Sequence, residues 1–233
     1  MKVNIWSDVR CPFCYIGKKK FESALEKFPH KDQVEVIWHS YQLDPNLETD
    51  PGTSTLEYFT KVKGVSKDQA RQMLGHATTM AKEVGLDFYL EDSVLANSFN
   101  AHRLIQMAKT KGLGSEIEEA LFKAHFTEKK NIDDKKVLAE IGTSIGLDKV
   151  EVTEMLASDA FEYEVKQDEM EARNIGVQGV PFFVLNNKYG ISGAQPSEAF
   201  LKTLEKAWEE YSAANPSLII SRGDSCSTDG TCD

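Results

Sequence analysis

The sequence predicts an α/β fold interrupted by a large all-helical insertion, and three observations carry that prediction. Alternating strand and helix patterns open the chain. A second β-rich stretch with a closing helix follows near residue 180. Between Ser54 and Asn174 every periodic segment reads as helix. Where β pairing stops and then resumes, the simplest architecture is one β/α unit carrying the helical block as an insertion. The expected boundaries are residues 1–52 and 175–215 for the two parts of the β/α unit, 53–174 for the insertion, and 216–233 for a flexible cysteine-containing tail.

The first strand is Val3-Asn4-Ile5-Trp6-Ser7, where apolar and polar side chains alternate as in a half-buried strand. Tyr15, Ile16, Phe21, Ala24, Leu25 and Phe28 then recur at helical intervals, which predicts a helix from Pro12 to Phe28. A proline just inside that start costs nothing, because an amide there has no helical partner. Val34 to Leu43 reads as a second strand. Asp44-Pro45-Asn46 and Asp50-Pro51-Gly52-Thr53 read as a loop.

Within the block, Leu56, Phe59 and Val62 mark a short helix. Ser66 and Gln69 have the spacing of a capping box and open a helix that Gly85 stops. Val94 to Lys111 reads as one helix ended by Gly112, with Leu95, Phe99, His102 and Ile105 on its apolar face. Further helices are expected around Ile117 to Phe126, Val137 to Ile141, Val152 to Leu156 and Ala160 to Arg173. Beyond them Val180-Pro181 stands at the mouth of an apolar strand, a place where an X-Pro bond can be cis. Asn186 to Tyr189 reads as a hairpin turn, Tyr189 to Ser192 as a strand and Pro196 to Tyr211 as the closing helix.

A formal net charge of −10 repels nucleic acid and anionic membranes, so neither is an expected partner. No apolar run approaches the roughly eighteen residues of a membrane span. The first strand begins directly after Met1 with no room for a cleaved leader, and a cytoplasmic location is expected. Four cysteines are too few for a disulfide scaffold. In a reducing compartment a cysteine pair is more often catalytic, redox-sensing or metal-binding than a brace.

Cys11-Pro12-Phe13-Cys14 sits where the first strand hands over to the first helix. The free amides and positive dipole of a helix start favour a thiolate, and a thiolate is the attacking species in disulfide exchange. Structural zinc is the rival reading, but a closed site needs four Cys or His ligands. The other cysteines, Cys226 and Cys232, lie at the far end of the chain. Redox chemistry is therefore favoured, and no metal and no cofactor are expected. His102 lies on an apolar face and reads as a hydrogen-bonded core histidine rather than an acid or base. His39 and His76 have less to recommend them. Gly176-Val177-Gln178-Gly179 is a turn and not a nucleotide loop, because no strand precedes it. The polar, glycine-bearing end of the chain has the composition of a mobile segment, and Cys226 and Cys232 read there as an auxiliary redox pair.

The Cys-Pro-Phe-Cys at the start of a first helix, the distant Gly179-Val180-Pro181-Phe182-Phe183-Val184 before a hairpin, and the helical insert together resemble the thioredoxin fold of the DsbA-like family. Ser7 to Gly17, Asn97 to Leu104, Asn131 to Asp134 and Ile191 to Pro196 resemble its FrnE branch. The resemblance implies a protein-disulfide oxidoreductase or isomerase that works by mixed-disulfide exchange on thiol and disulfide substrates, proteins or glutathione. It implies that Cys11 attacks and Cys14 resolves, and that Pro181 is cis and packs beside them. It further implies that the backbone of Val180 pairs with the substrate, with Pro12 and Phe13 alongside. Arg10 either assists the thiolate or is a solvated charge. Kappa-class glutathione transferases and 2-hydroxychromene-2-carboxylate isomerases share this fold but resemble each other in using a serine where this chain has Cys11. A serine hydroxyl cannot form a mixed disulfide. A zinc-binding, redox-sensing module would use the same thiols. With no imidazole between the cysteines, a less oxidising potential than that of DsbA is expected. The helical insert offers a surface for a homodimer.

Overall fold

The structure is a computed structural model that describes residues 1–216, so Cys226 and Cys232 lie outside the described residues. β1 (Lys2–Ser7), α1 (Pro12–Lys27) and β2 (Glu35–Ser40) form the opening unit. β1 and β2 run parallel, with Val3 beside Val36 and Ser7 beside Ser40. Parallel neighbours need a crossover, and α1 supplies it. Because side chains alternate along a strand, Val3 and Ile5 reach one core while Trp6 reaches another on the opposite face.

The chain next forms β3 (Asp50–Ser54), α2 (Thr55–Lys61) and α3 (Lys67–Glu83), then β4 (Val94–Leu95) and α4 (Phe99–Thr110). Two expectations are corrected here. β3 and β4 pair antiparallel, so Asp50 to Thr53, read as a loop, belong to a strand, and the block read as strand-free holds that strand's partner at Val94–Leu95. The helix read from Val94 starts only at Phe99. The reason lies in Asn97, whose side chain accepts the Phe99 N–H at 2.8 Å and donates to Leu47 O at 2.7 Å. A side chain that takes the backbone's partners in this way holds it out of the helix. The Ser66–Gln69 capping box is present, and a second one joins Ser54 to Glu57 at the start of α2.

α5 (Gly114–Phe126), α6 (Lys135–Ser144), α7 (Lys149–Ala157) and α8 (Glu162–Asn174) complete the helical stretch. Asp134 and Asp148 cap α6 and α7 by accepting backbone N–H groups of their first turns. β5 (Phe182–Leu185), β6 (Tyr189–Ser192) and α9 (Ser197–Ala214) close the chain. β5 pairs antiparallel with β1 and β6 with β5, which gives a four-stranded sheet in the order β2-β1-β5-β6. α1 and α9 cover one face of it, Phe21 and Phe200 packing on Phe183 of β5, and Ala172 of α8 meets Trp6 on the other.

The architecture is the α/β fold with a large helical insertion that the sequence predicts. Its consequence for function is where a third core lies. Val9, Cys11, Cys14, Tyr15 and Ile16 pack into one apolar cluster with Leu74, Leu104, Phe122 and Phe126 of the insertion. The start of α1 is thus a seam between sheet and insertion. Among the described residues no helix is long and apolar enough to cross a membrane.

Candidate active site

Cys11 is the N-cap of α1, with an extended backbone at φ −90° and ψ 112°. That position puts its side chain at the positive end of the helix dipole. Its N–H donates to Asp8 O at 2.9 Å, and its carbonyl accepts the Cys14 N–H at 3.0 Å. Both thiols are free, and both are buried, Cys11 at 4% exposure and Cys14 at 1%. The Cys11 Sγ donates to Val180 O at 3.5 Å, and the Val180–Pro181 bond is cis. Burial first, and then contact with Cys11, push the Cys14 thiol well up from its ordinary range. The Ser7 hydroxyl and the Asp8 backbone oppose that rise.

α1 approaches the cis-proline loop through Gly17, where an added Cβ would lie 2.9 Å from Pro181 Cγ. The helix and the loop can meet only because that position carries no side chain. Of the other residues singled out in the sequence, Phe13 is half-buried with its ring 6.4 Å from that of His76. Pro12 and Arg10 border a cavity on the insertion side. The structure therefore gathers Cys11, Cys14, Val180 and Pro181 at one place, with Pro12 and Phe13 beside them.

Charges buried behind the pair have no local pattern in the sequence. Asp8 is fully buried, accepts N–H groups of Arg10 at 3.1 Å and Leu43 at 2.8 Å, and lies 3.5 Å from His102 Nε2. Burial pushes its carboxyl up, yet His102, the Leu43 N–H and Arg10 together hold it below the usual range. His102, whose burial works against its charge, is raised by Asp8. It sits in the core as its neighbours in sequence suggest, but it is not the hydrogen-bonded histidine expected there: Nε2 faces the Asp8 carboxylate at 3.5 Å without a hydrogen bond. Glu118 is pushed up to about 7 by burial, with His102 and Lys18 opposing. Both His102 nitrogens, Glu118 Oε2 and His125 Nδ1 are buried with no hydrogen-bond partner.

Lys18, only 3% exposed, ties α1 to α5 through Glu119 at 2.6 Å, and the Tyr15 hydroxyl donates to the same carboxylate at 2.6 Å. His39 belongs to a separate structural cluster. It stacks on Trp6 at 4.5 Å and meets Asp168 at 2.8 Å. His39, Asp168 and Glu171 bring ligand atoms within 4.8 Å of one another. The Asp168 carboxylate, however, is engaged by His39, the Ser40 N–H and Gln106.

A family model described as DSBA-like thioredoxin domain matches residues 2–205. The crystal structure of a probable DsbA oxidoreductase from Streptomyces coelicolor has a TM-score of 0.85 and 38% identity, covering 100% of this chain and 98% of that one. The uncharacterized protein YwbO of Bacillus subtilis (strain 168) is 26% identical over 209 residues, or 87% of this chain and 94% of the relative. The cytosolic disulfide reductase DsbM from Pseudomonas aeruginosa, solved with GSH, has a TM-score of 0.62 at 16% identity, covering 92% of this chain and 99% of that one. At that identity the likeness is one of fold.

Proposed function

The chain belongs to the DSBA-like thioredoxin domain family, and from that membership we propose that it is a FrnE-type thiol-disulfide oxidoreductase working through Cys11 and Cys14. The observation that carries the proposal is Cys11 at the start of α1, with its Sγ 3.5 Å from the carbonyl of a cis Val180–Pro181 loop. In the reductive direction the Cys11 thiolate attacks one sulfur of a substrate disulfide, the S–S bond breaks, and one substrate thiolate leaves. Cys14 then gives up its proton and attacks the Cys11 sulfur. The second substrate thiolate is released, and two electrons have passed from the dithiol to the substrate. The oxidative direction is the reverse.

Burial, and then Cys11, keep Cys14 protonated in the dithiol, and the Cys11 contribution ends once its sulfur is tied up in the mixed disulfide, which supports Cys14 as the resolving thiol. The backbone of Val180, with Pro181, Pro12 and Phe13, holds the substrate beside Cys11. Client proteins and glutathione are the proposed partners. The fold-level likeness to a disulfide reductase solved with GSH supports the latter. Isomerase activity needs only that the mixed disulfide be released before Cys14 resolves it. A cytoplasmic setting suits a dithiol kept reduced by its surroundings. Cys226 and Cys232 would relay electrons to Cys11 from the tail. That relay is lost if removing residues 216–233 leaves turnover unchanged.

The deciding experiment is a Cys14→Ser variant used to trap mixed disulfides from lysate, with the adducts identified by mass. Adducts on Cys11 are expected. Bound zinc with no adduct would instead identify a metal-holding module. Because Pro12 and Phe13 bring neither charge nor imidazole, the measured potential is expected to lie below the about −120 mV of DsbA.

A further inference from the structure

On the insertion side of the thiols lies a cavity of about 350 Å³. It is bordered by Arg10 and Pro12, the residues on either side of Cys11, and it extends under α2, α3 and β4. Its walls are apolar, with Phe59, Leu74, Leu90, Leu95 and Phe126. The volume falls at the low end of the roughly 300–1,000 Å³ typical of small-molecule sites. An aromatic ring with its substituents fits such a space.

The polar groups in the lining are few. Arg10 donates its backbone N–H to Asp8, and among the described residues its guanidinium makes no ion pair within 4.0 Å. Asp44 is the carboxylate of the lining, and it accepts the Tyr58 hydroxyl at 3.2 Å. Lys63 lies over the Tyr58 ring at 5.5 Å. The lining thus carries one more positive than negative charge, and Arg10, whose charge is also felt by buried Asp8, stands next to Cys11. His125 adds a second, independent feature. It is 4% exposed, it borders the cavity, and its Nδ1 has no hydrogen-bond partner. Burial, then the charge of Arg10, hold this imidazole down to about 4, so it stays neutral and can bond a polar substituent.

We infer that this cavity is a substrate subsite for small aromatic disulfides that carry an acidic group. The ring lies against Leu74, Leu90 and Phe126, the acid pairs with Arg10, and the sulfur reaches Cys11 past Pro12. The inference rests on the dithiol reading above and follows the same electron balance. The Cys11 thiolate displaces one aryl thiolate, Cys14 loses its proton to solvent and displaces the second, and two electrons pass to the disulfide.

The test uses the full-length reduced protein with Cys226→Ser and Cys232→Ser, so that the tail thiols do not consume the probe. Single-turnover rates are measured with three disulfides: 5,5′-dithiobis(2-nitrobenzoate), aromatic and acidic; 4,4′-dithiodipyridine, aromatic and neutral; and bis(2-hydroxyethyl) disulfide, aliphatic and neutral. Arg10→Gln is expected to slow the acidic probe about tenfold relative to both neutral ones, the loss of one charge-assisted contact. Val94→Trp, which fills the cavity from a half-buried wall position, is expected to slow both aromatic probes relative to the aliphatic one. Equal slowing of all three by Arg10→Gln would mean that Arg10 acts on Cys11 itself, and the subsite is overturned. Unchanged ratios in a folded Val94→Trp protein would overturn it as well, with the oxidoreductase reading intact. Failure of the unsubstituted site to react with any probe would instead remove the dithiol reading.

Discussion

On the sheet side of the two thiols the parts are fitted to one another. Gly17 admits Pro181, the rings of Phe21, Phe183 and Phe200 interlock with centroids 4.7 to 5.8 Å apart, and the Val180 carbonyl meets Cys11. On the insertion side the parts are charged, buried and underbonded. Of the six buried side-chain atoms without a partner among the described residues, all but Ser7 Oγ belong to Ser98, His102, Glu118 and His125. Each such atom costs on the order of 1–3 kcal/mol. The fold bears that cost almost wholly on one wall of the site. The sheet wall therefore fixes where the sulfurs stand, and the insertion wall sets the field and the space around them.

The comparison is broken most sharply at Cys11. Cys11→Ser is expected to abolish disulfide turnover, a loss on the order of 10³-fold or more, while the protein stays folded, because the serine hydroxyl can donate to the Val180 carbonyl that the thiol meets. Next comes Glu118 on the insertion wall, which faces His102, Asp8, Lys18 and Lys109. Its folded-state pKa is raised to about 7 from 4.5. As pH rises between those values the unfolded chain gives up the proton first, so stability falls across that window and levels off above it. The loss is on the order of 3 kcal/mol. Glu118→Gln should abolish the slope, raising stability near pH 8 and leaving it unchanged near pH 4, as read by denaturant titration. On the sheet wall Gly17→Ala must displace Pro181 or strain α1. Overpacking of that kind costs about 1–3 kcal/mol, and turnover should fall because the Val180 carbonyl moves with the loop. If Gly17→Ala changed neither stability nor turnover, the sheet wall would not be the fitted surface described.

These two walls also differ in how far they can be read from sequence. The thiol pair, the Ser66–Gln69 box and the stops at Gly85 and Gly112 are local patterns. The two glycines indeed adopt φ +77° and +74°, where a side chain would be strained. Val180-Pro181 became legible only through its resemblance to a known pattern, since nothing local ties it to Cys11. The β3–β4 pair was hidden because Asp-Pro-Gly-Thr reads as a turn, and a strand as short as Val94–Leu95 has no period of its own. The Ser54–Glu57 box was readable in principle but was masked by the same turn residues. Of the insertion wall only the core position of His102 was legible, and the groups it meets were not. Asp8 meets His102, and Arg10 meets the surroundings of His125, only after α4 and α5 have packed against α1.

The smallest expected effect concerns the residue next to Glu118, which turns the opposite way. Glu119 is about a third exposed and joins α1 through Lys18, Lys19 and Tyr15. Burial pushes its carboxyl up, but hydrogen bonds from Lys18, Tyr15 and Lys19 outweigh burial and bring it down to about 2. For a depressed carboxyl the sign reverses. The stabilisation is fully present above the unfolded value of 4.5 and is lost as pH falls toward about 2. Its partial exposure means that solvent screens much of the gain, so the slope should be shallower than that of Glu118 and should shrink further with added salt. Glu119→Gln should flatten this acid limb alone and leave the limb between pH 4.5 and 7 to Glu118. Denaturant midpoints measured from pH 2 to 8 on the two single variants and the double variant separate the limbs. If Glu119→Gln altered the neutral limb instead, the two neighbouring glutamates would share one field, and the division between the α1 contact and the buried insertion wall would not hold.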